Sequence, residues 1–189
     1  MQNPDYLVIG AGIVGLATGY ELKRRFPEAR ILILEKEKAP GLHASSRNSG
    51  VLHSGIYYPP QSLKARVCRE GARRMAAFAR EHRIPLRAGG KVILAVRPDE
   101  VPRLQSLMEN ARANQIRAEL LDENEIRKIE PHSRPCQYGI HLPEVAVIDA
   151  RGVVRELISD YTPRARESKR AVNRTLLTAL CLIGSGGWI

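Results

Sequence analysis

Residues 5–26, DYLVIGAGIVGLATGYELKRRF, are followed closely by RILILE at residues 30–35, and these two segments indicate the fold class. DYLVIG is a short β-branched and aromatic run, which predicts a strand buried on both faces. Apolar residues then recur at helical spacing from Ile13 to Tyr20, and Pro27 ends the helix. RILILE predicts a second buried strand. A strand, helix and strand within about 30 residues predict a parallel pair joined by a right-handed crossover.

A glycine motif of the form GxGxxG lies between that first strand and the helix. Gly10 permits a tight turn, Gly12 lets a pyrophosphate approach the backbone, and Gly15 lets the helix pack close to the strand. The helix N-terminus offers N–H groups to phosphate. Glu35 follows at the end of the second strand, where a carboxylate accepts hydrogen bonds from an adenosine ribose and disfavours NADP. The motif predicts a dinucleotide site but does not separate FAD from NAD. The alternative to a dinucleotide site is that the glycines only form a tight turn and that Glu35 is only a surface charge.

The segment SSRNSGVLHSGIYYPP, residues 45–60, carries more polar chemistry than a connector needs. It follows the carboxyl end of the second strand, which is the edge where such sheets bind ligands. Its small residues permit close backbone approach, its arginine can pair with phosphate, and its asparagine and serines can donate hydrogen bonds. This suits a long cofactor and favours FAD. The predicted cofactor contacts beyond the glycines and Glu35 are Lys36, Ser46, Arg47, Asn48, Ser49 and Gly50.

The catalytic candidate is His53, the histidine of this cofactor-facing segment. Its ordinary pKa suits a general base near neutral pH. The alternative is that His53 only hydrogen-bonds the flavin or orders the loop. Lys91 and Arg87 are candidate cations for an acidic substrate.

Periodicity and turn residues predict the remaining elements. Asp122 and Glu125 have the spacing of a capping box, which predicts a short helix after them. The other predicted helices are 61–82, 98–115 and 150–161, and the other predicted strands are 91–96, 138–143 and 145–149. The fold class is therefore α/β: a Rossmann-like FAD-binding part at 1–85, a partial substrate-domain segment at 86–160, and a basic and apolar tail at 161–189.

Composition narrows the class of partners. A net charge of +10 is compatible with nucleic acid, an anionic membrane surface or an acidic ligand, but no nucleic-acid motif is present, so none is expected as a partner. Cys68, Cys136 and Cys181 form no CxxC pair, which predicts structural thiols and no metal site. There is no run of about 18 apolar residues and no N-terminal targeting pattern. We expect a cytoplasmic protein and leave peripheral contact with the cytoplasmic membrane open.

Several quoted blocks together resemble one family. GAGIVGLATGYEL, ILEKE, SSRNSGVLHSGIYYPPQSLKARVCREG, GGKVILAV, IRKIEP and LPEVAVIDARGVV, in this order, resemble the L-2-hydroxyglutarate dehydrogenase/oxidase family. Those are FAD enzymes of the D-amino-acid-oxidase-like superfamily. The resemblance implies oxidation of L-2-hydroxyglutarate to 2-oxoglutarate by hydride transfer to flavin N5, with oxygen or a quinone pool as electron acceptor. Among the other histidines, His43 lies outside the matching block, and His82, His132 and His141 are expected to be surface or structural.

The chain also departs from that family. It has Ala146 where the family usually has glycine and Gly89 where it usually has cysteine. Family members are roughly twice as long, and residues 162–189 match nothing in them. We expect this tail to be foreign sequence after a truncation; the alternative is a divergent terminus that packs on the sheet. The competing functions are a truncated inactive fragment, a related FAD enzyme acting on an amine or glycerol 3-phosphate, and an NAD-dependent dehydrogenase.

Overall fold

The computed structural model describes residues 3–159 and 180–182, and these divide into two units. Strands and helices are numbered in chain order. The first unit contains β1 (Tyr6–Ile9), α1 (Ile13–Arg25), β2 (Ile31–Glu35), α5 (Ala150–Ser159) and β9 (Leu180–Leu182). The second unit, Gly50–Ile148, contains β3 (Val51–Leu52), α2 (Leu63–Glu81), β4 (Leu86–Ala88), β5 (Lys91–Ala95), α3 (Val101–Ala113), β6 (Glu119–Asp122), α4 (Glu123–Ile129), β7 (Tyr138–Leu142) and β8 (Ala146–Ile148).

The sheet of the first unit is parallel, in the order β1-β2-β9. Tyr6 pairs with Ile31 and Ile9 with Leu34, so β1 and α1 lead into β2 through a crossover, as the sequence predicts. The central strand β2 buries Ile31 and Ile33. This arrangement brings the carboxyl ends of β1 and β2 to the same edge of the sheet.

The prediction that the first strand is buried on both faces is wrong. In β1 the residues Tyr6, Leu7 and Ile9 are 36, 52 and 84 % exposed. The reason is topological: β1 is the edge strand, and within the described residues only β2 pairs with it. An apolar run is typical of buried strands. The strand is buried only where other elements of the fold cover it.

Helices α1 and α5 pack against each other in the first unit. The buried residues of α1 are Leu16 and Gly19, while α5 buries Val153, Val154 and Leu157. The predicted final helix is therefore confirmed for residues 150–159, and its last two predicted residues lie outside the described part of the chain.

The second unit is built from two antiparallel sheets with the strand orders β3-β8-β4 and β5-β7-β6. Its core includes Ile140 of β7 and Leu104 and Leu107 of α3. The predicted capping box is confirmed: Asp122 Oδ1 accepts from the Glu125 N–H, and Glu125 Oε2 accepts from the Asp122 N–H, both at 2.9 Å. The short strands β3, β4 and β6 were not predicted.

The division into units differs from the predicted boundary at residue 85. Strands β3 and β4 lie on opposite sides of that boundary, yet both pair with β8 in one sheet. Helix α5, placed by the prediction in the substrate segment, packs instead in the first unit with α1. The predicted bounds of 1–85, 86–160 and 161–189, and the assignment of residues 86–160 to substrate binding, stay predictions.

The predicted tail contributes one described element, β9, which pairs in parallel with β2. The rest of the tail, and with it the question of its origin, lies outside the described residues. Among the helices described here, none is both long and apolar enough to cross a membrane.

Candidate functional site

The glycine turn joins β1 to α1 with very little space. Gly10 has a φ of +99°, a left-handed conformation that favours glycine, and its N–H donates to the Leu34 carbonyl at 2.7 Å. A Cβ at Gly15 would lie 1.9 Å from the Gly10 carbonyl oxygen. Hydrogen is therefore the only side chain that lets α1 begin so close to the strand.

Glu35 ties the end of β2 to this turn. The residue is only 8 % exposed, and its Oε2 accepts from the Ala11 N–H at 2.7 Å. Its Oε1 accepts from the Glu37 N–H at 3.0 Å. The hydrogen bond from Glu37, together with that from Ala11, lowers the pKa of the Glu35 carboxyl in spite of its burial. A carboxylate is thus held ionised beside the glycine turn.

The N-terminus of α1 is open to an anion. Its first turn has no acidic residue, and its N-cap, Gly12, has no side chain to accept from the helix N–H groups. Instead Ser45 Oγ accepts from the Ile13 N–H at 2.9 Å. A Cβ at Gly12 would lie 3.1 Å from the same oxygen. The sequence predicts Ser45 as a small residue that can donate to a ligand, and not as an acceptor for α1, because no local pattern signals a contact between residues so far apart in the chain.

The polar segment after β2 folds into a short 3₁₀ turn, Ala44–Ser46. Asn48 Nδ2 donates to the Ala44 and Ser45 carbonyl oxygens at 2.9 and 3.0 Å, so this predicted cofactor donor holds the turn in shape. Arg47 and Ser49 are exposed. The guanidinium of Arg47 is therefore accessible to a ligand.

A cationic cavity of about 590 Å³ adjoins this turn. Ser46 and Arg47 line it together with Arg151 and Arg155 of α5. Arg151 Nε donates to the Ser46 carbonyl at 3.4 Å, which links the helix to the turn. Lys36 has an 81 % exposed side chain whose Nζ lies 3.9 Å from a Glu37 carboxylate oxygen.

Gly50 and His53 belong to the second unit. Gly50 has a φ of +69° and accepts from the Ile148 N–H at 2.9 Å, and a Cβ there would lie 2.3 Å from the Ile148 carbonyl oxygen. The hydrogen bond that its carbonyl accepts from Ile148 lies next to the first paired residues of β3 and β8.

Side chains from α2, from α3 and from Asn114, the residue that follows α3, hold the loop that carries His53. Cys68 Sγ donates to the His53 carbonyl at 3.2 Å. Asn110 and Asn114 donate to the carbonyls of Ile56 and Tyr58, at 3.4 and 3.1 Å. The His53 backbone is thereby fixed while its side chain remains exposed.

His53 and Lys91 line one cavity of about 160 Å³. Tyr57 and Tyr58 line it too, and Lys91 Nζ donates to the Tyr57 hydroxyl at 3.2 Å and lies 4.9 Å from the centre of its ring. The structure thus brings together the predicted base and one predicted cation. Arg87 is exposed on β4 and does not line this cavity.

Three other histidines have partners outside that cavity. His43 Nε2 lies 2.9 Å from a Glu37 oxygen, and His141 Nδ1 lies 3.2 Å from a Glu119 oxygen. His82 stacks on Phe78 with 4.1 Å between the ring centroids. The contact of His141 joins neighbouring strands β7 and β6, while those of His43 and His82 join residues four to six apart in the chain.

Comparison with known proteins agrees with this geometry. The family described as DAO, FAD dependent oxidoreductase, matches residues 5–164. The chain belongs to this family. FAD is the family's cofactor, and the residues of the first unit fit it: a glycine turn in which Gly10 has a positive φ and Gly15 leaves no room for a Cβ, a helix N-terminus without acidic residues, and a buried carboxylate at the strand end.

The curated relatives include the mitochondrial L-2-hydroxyglutarate dehydrogenase of Caenorhabditis elegans, 38 % identical over 161 residues, which cover 85 % of this chain and 37 % of that protein. The L-2-hydroxyglutarate dehydrogenase of Escherichia coli K12 is 37 % identical over 163 residues, 86 % of this chain and 38 % of that one. This chain therefore spans well under half the length of these relatives.

Among solved structures, the L-alpha-glycerophosphate oxidase of Mycoplasma pneumoniae with FAD bound superposes with a TM-score of 0.73 at 27 % identity. The match covers 83 % of this chain and 42 % of that one. The sequence-based predictions of family, cofactor and α/β fold are confirmed.

Proposed function

We propose that this chain carries the FAD-binding part of an oxidoreductase that converts L-2-hydroxyglutarate to 2-oxoglutarate. The observation that supports it most directly is the cradle of the first unit, where the glycine turn, the open N-terminus of α1 and the ionised Glu35 meet. The substrate is inferred from the relatives at 37–38 % identity, which carry that activity in their names.

The first unit holds the adenosine diphosphate half of the cofactor. Ser45 Oγ occupies the acceptor position on the Ile13 N–H that a phosphate oxygen would take. Glu35, held ionised by the Ala11 and Glu37 N–H groups, has lone pairs left to accept from ribose hydroxyls. Arg47 supplies an exposed guanidinium for phosphate.

The second unit supplies residues for the substrate. Bound FAD would supply the two-electron acceptor, flavin N5, for the hydride that leaves C2 of the substrate. His53 takes the proton of the C2 hydroxyl group on a ring nitrogen, and its anchored backbone limits the positions that the ring can reach. Lys91, in the same cavity, pairs with a substrate carboxylate.

A second candidate is the oxidation of glycerol 3-phosphate, supported by the structural match to the Mycoplasma pneumoniae oxidase. Lys91 would serve a phosphate as well as a carboxylate. Sequence identity favours the first candidate, since it is 37–38 % to the hydroxyglutarate enzymes and 27 % to the glycerophosphate enzyme.

The test begins with the absorption spectrum of the purified chain and an FAD titration. The protein is then mixed anaerobically with L-2-hydroxyglutarate, its D-isomer or glycerol 3-phosphate, and bleaching of the flavin band is followed. Bleaching by the L-isomer alone supports the proposal. Bleaching by glycerol 3-phosphate selects the second candidate, bound FAD without bleaching identifies an inactive fragment, and binding of NAD in place of FAD overturns the cradle assignment.

His53→Ala separates the chemical role of this histidine from a structural one. A base role predicts slower flavin reduction with an unchanged FAD dissociation constant, and restored reduction at higher pH, where the substrate hydroxyl loses its proton more readily. Arg87→Ala is the matched control, because Arg87 lies in the same unit outside the cavity. An equal reduction rate in wild type and His53→Ala would remove His53 as the base.

A further inference from the structure

A further cavity, of about 940 Å³, lies entirely within the second unit and is called here the arginine cavity. Part of its lining is buried and apolar: Ala79, Ile84, Leu142, Val145 and Ala146. Five arginines also line it: Arg69, Arg73, Arg80, Arg83 and Arg117. Among the described residues that line it, Glu144 is the one acidic residue. Its volume is in the range of small-molecule sites, about 300–1,000 Å³.

Two of these arginines have guanidinium groups available to a ligand. The side chains of Arg69, Arg73 and Arg117 each donate to a protein oxygen at 2.8–3.2 Å. Arg80 and Arg83 are exposed, and within the described part of the chain their guanidinium groups have no hydrogen-bond or ion-pair partner. The arginine cavity therefore combines a buried apolar lining with two accessible cations.

The backbone holds two lining residues in a conformation that favours glycine. Arg83 and Gln115 each have a φ of +55° and follow the last residue of the caps of α2 and α3. At each helix end the N–H of the next residue donates to a carbonyl of the last turn at 2.8 Å, the hydrogen bond of helices that usually end in glycine. Gln61 is the one other described non-glycine residue with a positive φ, and it lies outside the cavity. Long side chains at positions that favour glycine indicate a use for those side chains.

We propose that the arginine cavity binds a small amphiphile, a molecule with an anionic head and an alkyl chain. The head pairs with Arg83 and Arg80, because a guanidinium group donates parallel hydrogen bonds to a carboxylate or phosphate. The alkyl chain contacts the buried apolar lining and is removed from water there. His53 and Ser54 line this cavity as well as the smaller one, so the ligand lies next to the proposed base. The proposal does not depend on which substrate is oxidised.

The test is isothermal titration calorimetry of the chain with decanoate, kept below the concentration at which it forms micelles. Acetate supplies the head without the chain, and decyl maltoside supplies the chain with a neutral head. Each should bind at least about tenfold more weakly than decanoate, since each lacks one of the two contacts. In NMR spectra, decanoate should shift the ring signals of His53, which lines the cavity, and leave those of His132, which does not.

Arg83→Gly removes the guanidinium group and keeps the helix end, because glycine favours a φ of +55°. The affinity for decanoate should fall about tenfold or more, while the urea midpoint stays at or above that of the wild-type chain. Gln61→Gly is the matched backbone control, since Gln61 has a φ of +62° outside the cavity. Arg103→Gln is the matched charge control, since Arg103 is an exposed arginine of α3 outside the cavity. Both controls should leave the affinity for decanoate unchanged.

An anionic amphiphile can be a free molecule or a bilayer lipid, and sedimentation with phosphatidylglycerol vesicles distinguishes these sources. Sedimentation that Arg83→Gly abolishes identifies a bilayer lipid, and decanoate binding without sedimentation identifies a free molecule; both support the site.

Several results would overturn the proposal. Equal affinity for decanoate and acetate would show that the apolar lining contributes nothing, and equal affinity for decanoate and decyl maltoside would show the same for the arginines. Unchanged affinity in Arg83→Gly, an equal loss in either control, or no shift of the His53 signals also contradicts it. Calorimetry measures binding and not flavin reduction, so failure of this proposal is distinguishable from failure of the proposed function.

Discussion

Gly15→Ala tests the close approach of α1 to β1. A Cβ at residue 15 would lie 1.9 Å from the Gly10 carbonyl oxygen and 3.3 Å from Cγ1 of Val8. The closest atom is backbone and cannot rotate away. The turn or the helix must therefore shift by about 1.5 Å to restore an ordinary contact, as in other overpacked sites.

The expected loss of stability follows from two opposing effects. Overpacking costs about 1–3 kcal/mol, and a rigid backbone neighbour places this site at the upper end of that range. Alanine is about 1 kcal/mol more favourable than glycine inside a helix, which offsets part of the cost. The net loss is about 2 kcal/mol of unfolding free energy, equivalent to a fall of about 4–8 °C in Tm for a chain of this size.

The assay is urea and thermal unfolding of the chain without added FAD, so that cofactor binding does not contribute. Gly71→Ala is the matched control, because Gly71 lies inside α2 and a Cβ there would meet no atom within 4 Å. That substitution should stabilise the chain by about 0.5–1 kcal/mol. A Gly15→Ala protein that unfolds at or above the wild-type urea midpoint would refute the close contact between helix and turn.

Three further substitutions test other parts of the structure. Gly12→Val should abolish FAD retention and lower the unfolding free energy by about 1 kcal/mol, since the new Cβ would lie 3.1 Å from the Ser45 hydroxyl that accepts from the Ile13 N–H; equal FAD occupancy in both proteins would contradict the prediction. Glu35→Gln should be less stable than wild type at neutral pH. The Glu35 pKa is lowered from 4.5, so its contribution is present above about pH 4.5 and lost as pH falls through the folded pKa. The two urea midpoints should therefore converge in acid, and a constant difference would argue against an ionised Glu35. Asp122→Ala should lose about 1 kcal/mol by removing the N-cap of α4, and Asp122→Asn should retain most of it; equal losses would show that the cap contributes little.

Local pattern was sufficient for the elements that make the cradle. The apolar runs at β1 and β2, the helical spacing after Gly12 and the capping box at Asp122 were each visible in a few consecutive residues, and the structure has them at those places. The strands β3, β4 and β6 were missed because they have only two to four residues each and depend on partners distant in sequence.

Contacts between distant residues account for what was missed at the site. The contact of Ser45 with the Ile13 N–H, and the bonds by which Cys68 and Asn114 hold the His53 loop, join residues on different elements. The sharing of one cavity by His53 and Lys91 is of the same kind. Contacts between residues on different elements leave no periodic pattern in the sequence, so the sequence does not predict them.

The chemistry of the cradle can be predicted from the chain alone, because three glycines in a turn and an acidic residue at the end of the next strand each depend on a local conformation or spacing. The exposure of β1 cannot be predicted in this way, since β1 is an edge strand in the folded protein and not a buried one. Whether a strand is buried depends on the elements that pack beside it. The strand's own apolar residues favour burial but do not identify those elements.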